Sequence, residues 1–390
     1  MSLAEGYEFR FDKRTKVVML IIVALVYTIL FALQPVAAAG ILAPMFGVDR
    51  GLMLAIVGTL FIIIAVTGGL KGLAWVNVIH SFVMYLGLFI VAVAAVTMIG
   101  GMEAVKIAAP SEYLSFFNPT IGIGTIIVWI IGTILSQMNS ALMVNVTLGG
   151  KTLQVANRGM ITASILLFPF ALFPAIIGVV AYVAMPEIPA NQAMYVLSES
   201  MSPWLGGLAS MAVIAAIFST APALLLVVST TLTQDLYKGF IKPNASPKQT
   251  MLFARVCIVV IGILAIYLGS KTSSIFTSML GAFQIRSIAG IVLLFALFWP
   301  RVNARAGFWS ILLGGSTAAV WFFTGNPFGM EPLIPAAVIG ITTLLILTFM
   351  SKEPVSPGYS SYQELLKEYD AYEDDDVDSA NVDDFVALTK

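Results

Sequence analysis

Two hydroxyl side chains on one predicted helix face are the first residues of this chain whose spacing suggests chemistry. The segment AAIFSTAPALLLVVSTTLTQDLY contains Ala216, Ser219 and Thr220 at positions i, i+3 and i+4, which share one face of a helix. The Ala216 carbonyl and the two hydroxyls present three oxygens to a small hard cation such as Na+, particularly opposite a broken helix. An alternative stays open, because Ser and Thr in membrane helices also pack as small residues or bond back to the preceding turn.

Three further candidate site residues lie within apolar segments. Arg286 is the twelfth residue of Ile275–Trp299, where an ionised side chain costs about 2.5 to 3.5 kcal/mol. It either contacts an anionic group of a substrate, or has a structural role in which it satisfies the carbonyls of a broken helix or extends toward the inner membrane surface; the sequence leaves these alternatives open. Ser136 and Gln137 lie midway along another apolar segment. Because such groups are costly against lipid, we expect them to line a solute pocket.

Helices in a lipid bilayer must position these residues. The 390 residues are 59% hydrophobic and only 11% charged, with a mean hydropathy of +0.96, whereas soluble domains carry roughly 25% charged residues. We predict an all-α integral membrane protein with ten transmembrane helices. The predicted spans are Val17–Phe46, Leu52–Leu70, Val78–Ile99, Ile121–Val146, Ile161–Met185, Leu205–Leu232, Leu252–Gly269, Ile275–Trp299, Ala306–Phe323 and Leu333–Met350.

Charge divides the chain into three predicted parts. Residues 1–16 form a cytoplasmic lead-in, residues 17–350 the transmembrane domain of ten helices, and residues 351–390 an acidic cytoplasmic tail, largely disordered after a short helix. With a cytoplasmic N-terminus, sixteen Lys and Arg lie on the cytoplasmic side and three outside. This bias predicts a multi-pass protein of the plasma membrane with both termini in the cytoplasm. The tail is interpreted as solvated, with a docking segment as the alternative.

The composition also argues against most enzyme chemistry. One cysteine, Cys257, and one histidine, His80, cannot form a disulfide framework or a zinc site of several Cys and His. All ten acidic residues before position 351 lie in loops or near span ends, so no span holds a carboxylate for a proton relay. The sequence shows no set of nucleophile, base and metal ligands, and we predict neither an enzyme nor a nucleic-acid partner.

Four stretches of the chain resemble the sodium:solute symporter family. FRFDKRTK (9–16) is similar to the family's cytoplasmic entry, and GGLKGLAWVNVIH (68–80) is similar to its GGLrAVaWTDviQ pattern. The connection at 149–159, followed by FPFALFPAIIGVVAYVAMP (168–186), resembles the family's loop and the span that ends in GxxAxxxxP. AAIFSTAPALLLVVSTTLTQDLYK (215–238) resembles the sodium-site helix. The chain departs from the family's common residues at Asn77, at Pro222 and at Val146.

The resemblance implies a LeuT-like core of two inverted five-helix repeats, with sodium and solute near the midplane. It implies that Ala216, Ser219 and Thr220 are sodium ligands, forming part of a site. Ser136 and Gln137 match positions near the solute pocket, and Arg286 lies on a helix that borders it. Because the first predicted span matches the third core helix, we expect core helices 3–10 plus two C-terminal helices, as in an N-terminally truncated member that lacks the first three transmembrane helices.

The function implied by the resemblance is sodium-coupled symport of a small organic solute by alternating access. Na+ would be the coupling ion, and Arg286 favours a solute that bears a carboxylate. The expected partners are the solute, the lipid bilayer and a separate chain that supplies the missing helices. The alternative is a degenerate, non-transporting family member that acts as a membrane binding or scaffold protein.

Overall fold

The computed structural model describes residues 2–68, 70–190, 192–272, 274–352 and 354–375. These residues form α-helices joined by turns and loops, in the following order: α1 (Leu3–Arg10), α2 (Lys13–Phe46), α3 (Arg50–Thr67), α4 (Leu70–Ile99), α5 (Met102–Ala108), α6 (Ile123–Met138), α7 (Ala141–Leu148), α8 (Leu153–Ala184), α9 (Ala193–Met201), α10 (Pro203–Thr231), α11 (Pro247–Ser270), α12 (Ile275–Phe298), α13 (Ala304–Phe323), α14 (Leu333–Phe349) and α15 (Pro357–Asp375). A π-helical segment, Leu232–Ile241, continues α10.

Each of the ten predicted spans coincides with helical structure. Eight helices within the described ranges are long and apolar enough to cross a bilayer, and α6 with α7 forms a ninth, bent candidate. The last predicted span corresponds to α14, whose 17 residues extend over about 26 Å. That length is at the lower limit for a transmembrane helix.

The fourth predicted span, Ile121–Val146, is not one continuous helix. It is broken between α6 and α7, whose axes differ by 43°. Asn139 leaves the helical conformation with φ −111° and ψ 37°, and the Ser140 hydroxyl accepts a hydrogen bond from the Met143 N–H to begin α7. The break thus falls at the polar residues of this span. Their side chains supply hydrogen bonds to backbone groups that lose their helical partners at the break.

The short helix α1 packs under one end of the bundle, which we call the N-terminal face. This face comprises the start of α2, the π segment after α10 and the end of α12. Arg10 is buried there; its Nε and Nη2 donate to the Ala296 carbonyl at 2.9 and 2.8 Å, and its Nη1 donates to Ser356 Oγ. Burial lowers the pKa of Arg10 to about 10, so the guanidinium stays charged at neutral pH.

The predicted acidic tail begins with α15, which is longer than the short helix expected from the sequence. Arg10 lies over the Tyr359 ring at 5.4 Å, so the start of α15 packs against α1. Most of the acidic run that was predicted to be disordered, residues 376–390, lies outside the described residues.

Helices α6 and α12 approach each other closely enough to require glycine. An added Cβ at Gly290 would overlap the Leu135 carbonyl group, and nearby the Ser287 hydroxyl donates to the Gly132 carbonyl at 2.7 Å. These contacts hold Arg286, on α12, against the end of α6.

We expect Gly290→Ala to destabilise the protein by about 1 to 3 kcal/mol, because the backbone of α6 must move to admit the methyl group. The melting temperature of the purified protein in detergent checks this. Gly178→Ala, in α8, is the matched control, since an added Cβ there meets no atom within 4 Å. Equal melting temperatures for both variants would show that the α6–α12 contact is not tight.

Candidate functional site

The three oxygens predicted to hold a cation converge on one face of α10. Ser219 Oγ lies 2.7 Å and Thr220 Oγ1 3.1 Å from the Ala216 carbonyl oxygen, and the two hydroxyl oxygens are 3.4 Å apart. Both hydroxyls donate back to the carbonyl of the preceding turn, as in the packing alternative. All three residues are half-buried. A hydroxyl can rotate its hydrogen away, so the same arrangement can present three oxygens to a cation.

The three residues predicted to line the solute pocket also come together. Arg286 is only 2% exposed; its Nε donates to Ser136 Oγ at 2.9 Å, and its Nη2 lies 3.5 Å from Gln137 Oε1. Ser136 is fully buried, whereas Gln137 is exposed. The guanidinium therefore sits at the last turn of α6, immediately before the break.

Tyr27 is a site residue that the sequence reasoning missed. Its hydroxyl accepts hydrogen bonds from Arg286 Nη1 at 3.1 Å and from the Leu142 N–H at 2.9 Å, and it lies 3.0 Å from Ser140 Oγ. The Arg286 guanidinium also lies over the Tyr27 ring, 5.4 Å from its centroid. One phenol thus joins α2, the start of α7 and α12 around the guanidinium.

We expect Tyr27→Phe to destabilise the protein by about 1 to 3 kcal/mol, because it leaves the buried Arg286 guanidinium and the partly buried Leu142 N–H without their acceptor. The melting temperature of the purified protein measures the effect. Tyr267→Phe is the matched control, since Tyr267 is 62% exposed on α11. If the Tyr27 variant were as stable as this control, the Tyr27 hydroxyl would not belong to the hydrogen-bond network around Arg286.

A polar layer closes the site toward the N-terminal face. The buried Tyr7 hydroxyl, on α1, lies 2.9 Å from Asn139 Oδ1 and 2.8 Å from the Ala289 carbonyl oxygen, and these two acceptors share its single hydrogen. Tyr7 therefore contacts the break itself and α12 one turn beyond Arg286. At the same face Lys16 Nζ lies 2.7 Å from Glu8 and 3.5 Å from Asp235, which links α1, α2 and the π segment.

A second polar layer lies on the opposite side of Arg286. The Glu331 carboxylate accepts hydrogen bonds from Trp129 Nε1 and from the side-chain amide of Gln284. Gln284 Oε1 in turn accepts from the Leu333 N–H at 2.9 Å. Gln284 is two residues before Arg286 on α12, so the guanidinium lies between two separate hydrogen-bonded layers.

Comparison with known proteins shows which family the chain resembles. The model of the "Sodium:solute symporter family" matches residues 1–314. A sodium/proline symporter of Haemophilus influenzae is 25% identical, over 95% of this chain and 78% of that protein. An osmoregulated proline transporter of Bacillus subtilis is 23% identical, over 92% and 77% of the two chains, and a sodium/glucose cotransporter of Vibrio parahaemolyticus is 25% identical, over 90% and 71%.

A solved structure shares the fold. It is the substrate-bound, outward-open state of a Na+-coupled sialic acid symporter, and it superimposes with a TM-score of 0.75, covering 91% of this chain and 78% of that one at 18% identity. The all-α, LeuT-like fold expected from the sequence is thereby confirmed. None of these similarities supports the separate helix-supplying chain that the sequence suggested.

The similar proteins are transporters rather than enzymes, and Na+ is their coupling ion by name or by family. The chain is accordingly a multi-pass membrane protein that carries a small solute with sodium. By the family model that covers most of its length, it belongs to the sodium:solute symporter family.

Proposed function

We propose that this protein carries a small, carboxylate-bearing solute together with Na+, with the carboxylate held by Arg286 and the ion by Ala216, Ser219 and Thr220. The observation that carries the proposal is the position of Arg286. It is a buried cation beside a broken helix, within reach of Ser136 and of the exposed Gln137.

The charge of Arg286 supports a carboxylate on the solute. Its hydrogen-bond partners in the described part of the chain are neutral oxygens of Ser136, Gln137 and Tyr27. Three of the five N–H groups of a guanidinium are used in these bonds, so two remain for a ligand. A buried cation without a counter-ion is costly, and a solute carboxylate would supply the missing negative charge in a bidentate contact.

The α10 oxygens support a sodium site of neutral ligands. No group of three or more His, Cys, Asp or Glu able to hold a metal occurs among the residues that the structure describes. Sodium does not need such a group, since carbonyl and hydroxyl oxygens near the midplane serve it in LeuT-like carriers. Three oxygens are fewer than hard cations usually take, so further oxygens would complete the shell.

The two polar layers support alternating access. A solute bound at Arg286 can reach the N-terminal face only if Tyr7 releases Asn139 and Ala289. It can reach the other side only if the cluster of Trp129, Gln284 and Glu331 opens. We infer that the two layers open one at a time, and that Na+ binding shifts the equilibrium between the two open states. We further propose a plasma-membrane location with both termini in the cytoplasm, on the basis of the Lys and Arg distribution.

The experiment is uptake into proteoliposomes, with L-proline and D-glucose as probes because relatives are named for each solute. We expect an inward Na+ gradient to drive L-proline uptake and a K+ gradient of equal size not to do so. Uptake of D-glucose instead would contradict the carboxylate assignment. Binding of L-proline without any uptake would favour the alternative, a non-transporting membrane binding protein.

A further inference from the structure

A cavity lies at the N-terminal face, and neither Arg286 nor the hydroxyl pair of α10 lines it. It has a volume of about 620 Å³, is open on one side, and is lined by the end of α3, the end of α10 with its π segment, and the start of α11. No step of the proposed transport cycle uses it.

The polar wall of this cavity contains a buried hydroxyl that has no hydrogen-bond partner in the described part of the chain. Thr233 is 2% exposed, and its Oγ1 has no hydrogen-bond partner within the described ranges. Thr67 and Thr250 add two further hydroxyls to the lining. An unpaired buried hydroxyl is costly, which points to a ligand with hydrogen-bonding atoms.

The charge at the cavity is positive. Lys238 and Arg255 line it, and neither forms a salt bridge to any residue that the structure describes. No acidic residue occurs among the described residues of the lining. Asp235, in the same π segment, is instead engaged by Ser2 and Lys16. The amino-terminal end of α11, at Pro247, adds the positive end of its helix dipole to the same cavity.

The remaining wall is apolar. Leu226, Ala254 and Ile258 line it together with Met251, which is 55% exposed on the outer surface of α11. The cavity therefore places two cations and one unpaired hydroxyl, that of Thr233, beside an apolar surface of a transmembrane helix. An amphiphile with an anionic head and a hydrocarbon tail matches this combination.

We propose that this cavity binds the phosphate headgroup of an anionic membrane phospholipid. Lys238 and Arg255 contact the phosphate, Thr233 donates its free hydroxyl to a phosphate oxygen, and one acyl chain lies along Met251 and Ala254. Basic pockets between helices at the inner leaflet bind such headgroups in other membrane proteins. The proposal depends on the membrane location of the chain and on neither the solute nor the sodium assignment.

The experiment is native mass spectrometry of the full-length protein in detergent, titrated with phosphatidylglycerol or with phosphatidylcholine. We expect phosphatidylglycerol to bind preferentially, and Lys238→Gln combined with Arg255→Gln to weaken it by about tenfold or more. Lys242→Gln combined with Lys248→Gln is the matched control. It removes the same charge from neighbouring residues that do not line the cavity.

Thr233→Val gives a second test, since it keeps the shape of the side chain and the charge of the cavity. We expect a several-fold loss of phosphatidylglycerol affinity, with the melting temperature of the lipid-free protein unchanged or raised. Equal lipid affinities in the Lys238/Arg255 and Lys242/Lys248 variants would overturn the proposal. Displacement of the lipid by millimolar inorganic phosphate would also overturn it, because the cavity would then be a site for a free anion.

Discussion

Replacing Arg286 with Gln is expected to weaken binding of L-proline by about 10- to 100-fold, while binding of L-prolinamide changes little. A charge-assisted contact to a carboxylate contributes about 1.5 to 3 kcal/mol, and a carboxamide does not form it. Glutamine keeps a polar side chain beside Ser136 and Tyr27, so part of the hydrogen-bond network can persist. Solute-induced changes in intrinsic fluorescence of the purified protein measure both affinities.

Two controls separate this role from a structural one. The melting temperature shows whether the variant is folded, since Arg286 is buried and its loss leaves partners unpaired. Arg286→Lys keeps the positive charge but loses the planar guanidinium that can make a bidentate contact. We expect the affinity of this variant for L-proline to lie between the affinities of the native protein and the Gln variant. Equal losses for L-proline and L-prolinamide would make Arg286 a structural residue that braces the broken helix.

The combined substitution Ser219→Ala with Thr220→Ala is expected to raise the Na+ concentration for half-maximal uptake by about tenfold or more. It removes two of the three oxygens that α10 presents and leaves only the Ala216 carbonyl. A tenfold rise corresponds to about 1.4 kcal/mol of lost binding free energy, shared between the two oxygens that are removed. Uptake of L-proline as a function of Na+ at fixed solute concentration is the measurement.

The matched control is Ser164→Ala combined with Thr317→Ala. These hydroxyls make the same back-bond to the preceding turn, to Met160 and Leu313, but they lie on the exposed faces of α8 and α13. We expect the control to keep the native Na+ dependence. An unchanged Na+ dependence in the Ser219/Thr220 variant would show that these hydroxyls only pack and bond back to their own helix.

The sequence predicts features that depend on neighbours along the chain. Apolar runs about 20 residues long predict the spans because the bilayer has a fixed thickness. The spacing of Ala216, Ser219 and Thr220 predicts that their oxygens converge, because one helical turn brings them together. The position of Arg286 in an apolar span predicts a site residue, because a charge there needs a partner.

Features that depend on distant contacts could not be predicted in the same way. Tyr27 is 259 residues from Arg286 along the chain. It lies in a long apolar helix, where the sequence does not distinguish it from an ordinary packing residue. The layer of Tyr7 and Asn139 depends on α1 folding back under the bundle. The exact position of the break in the fourth span depends on which of several polar residues begins α7, and the structure assigns that role to Ser140.

The most direct test of the sodium assignment is equilibrium binding of radioactive Na+ to the purified full-length protein, without solute or a gradient. We expect saturable binding that the Ser219/Thr220 variant loses and the Ser164/Thr317 control keeps, with both variants melting at the native temperature. Equal Na+ binding by the three folded proteins would contradict the claim that the oxygens of α10 hold the coupling ion.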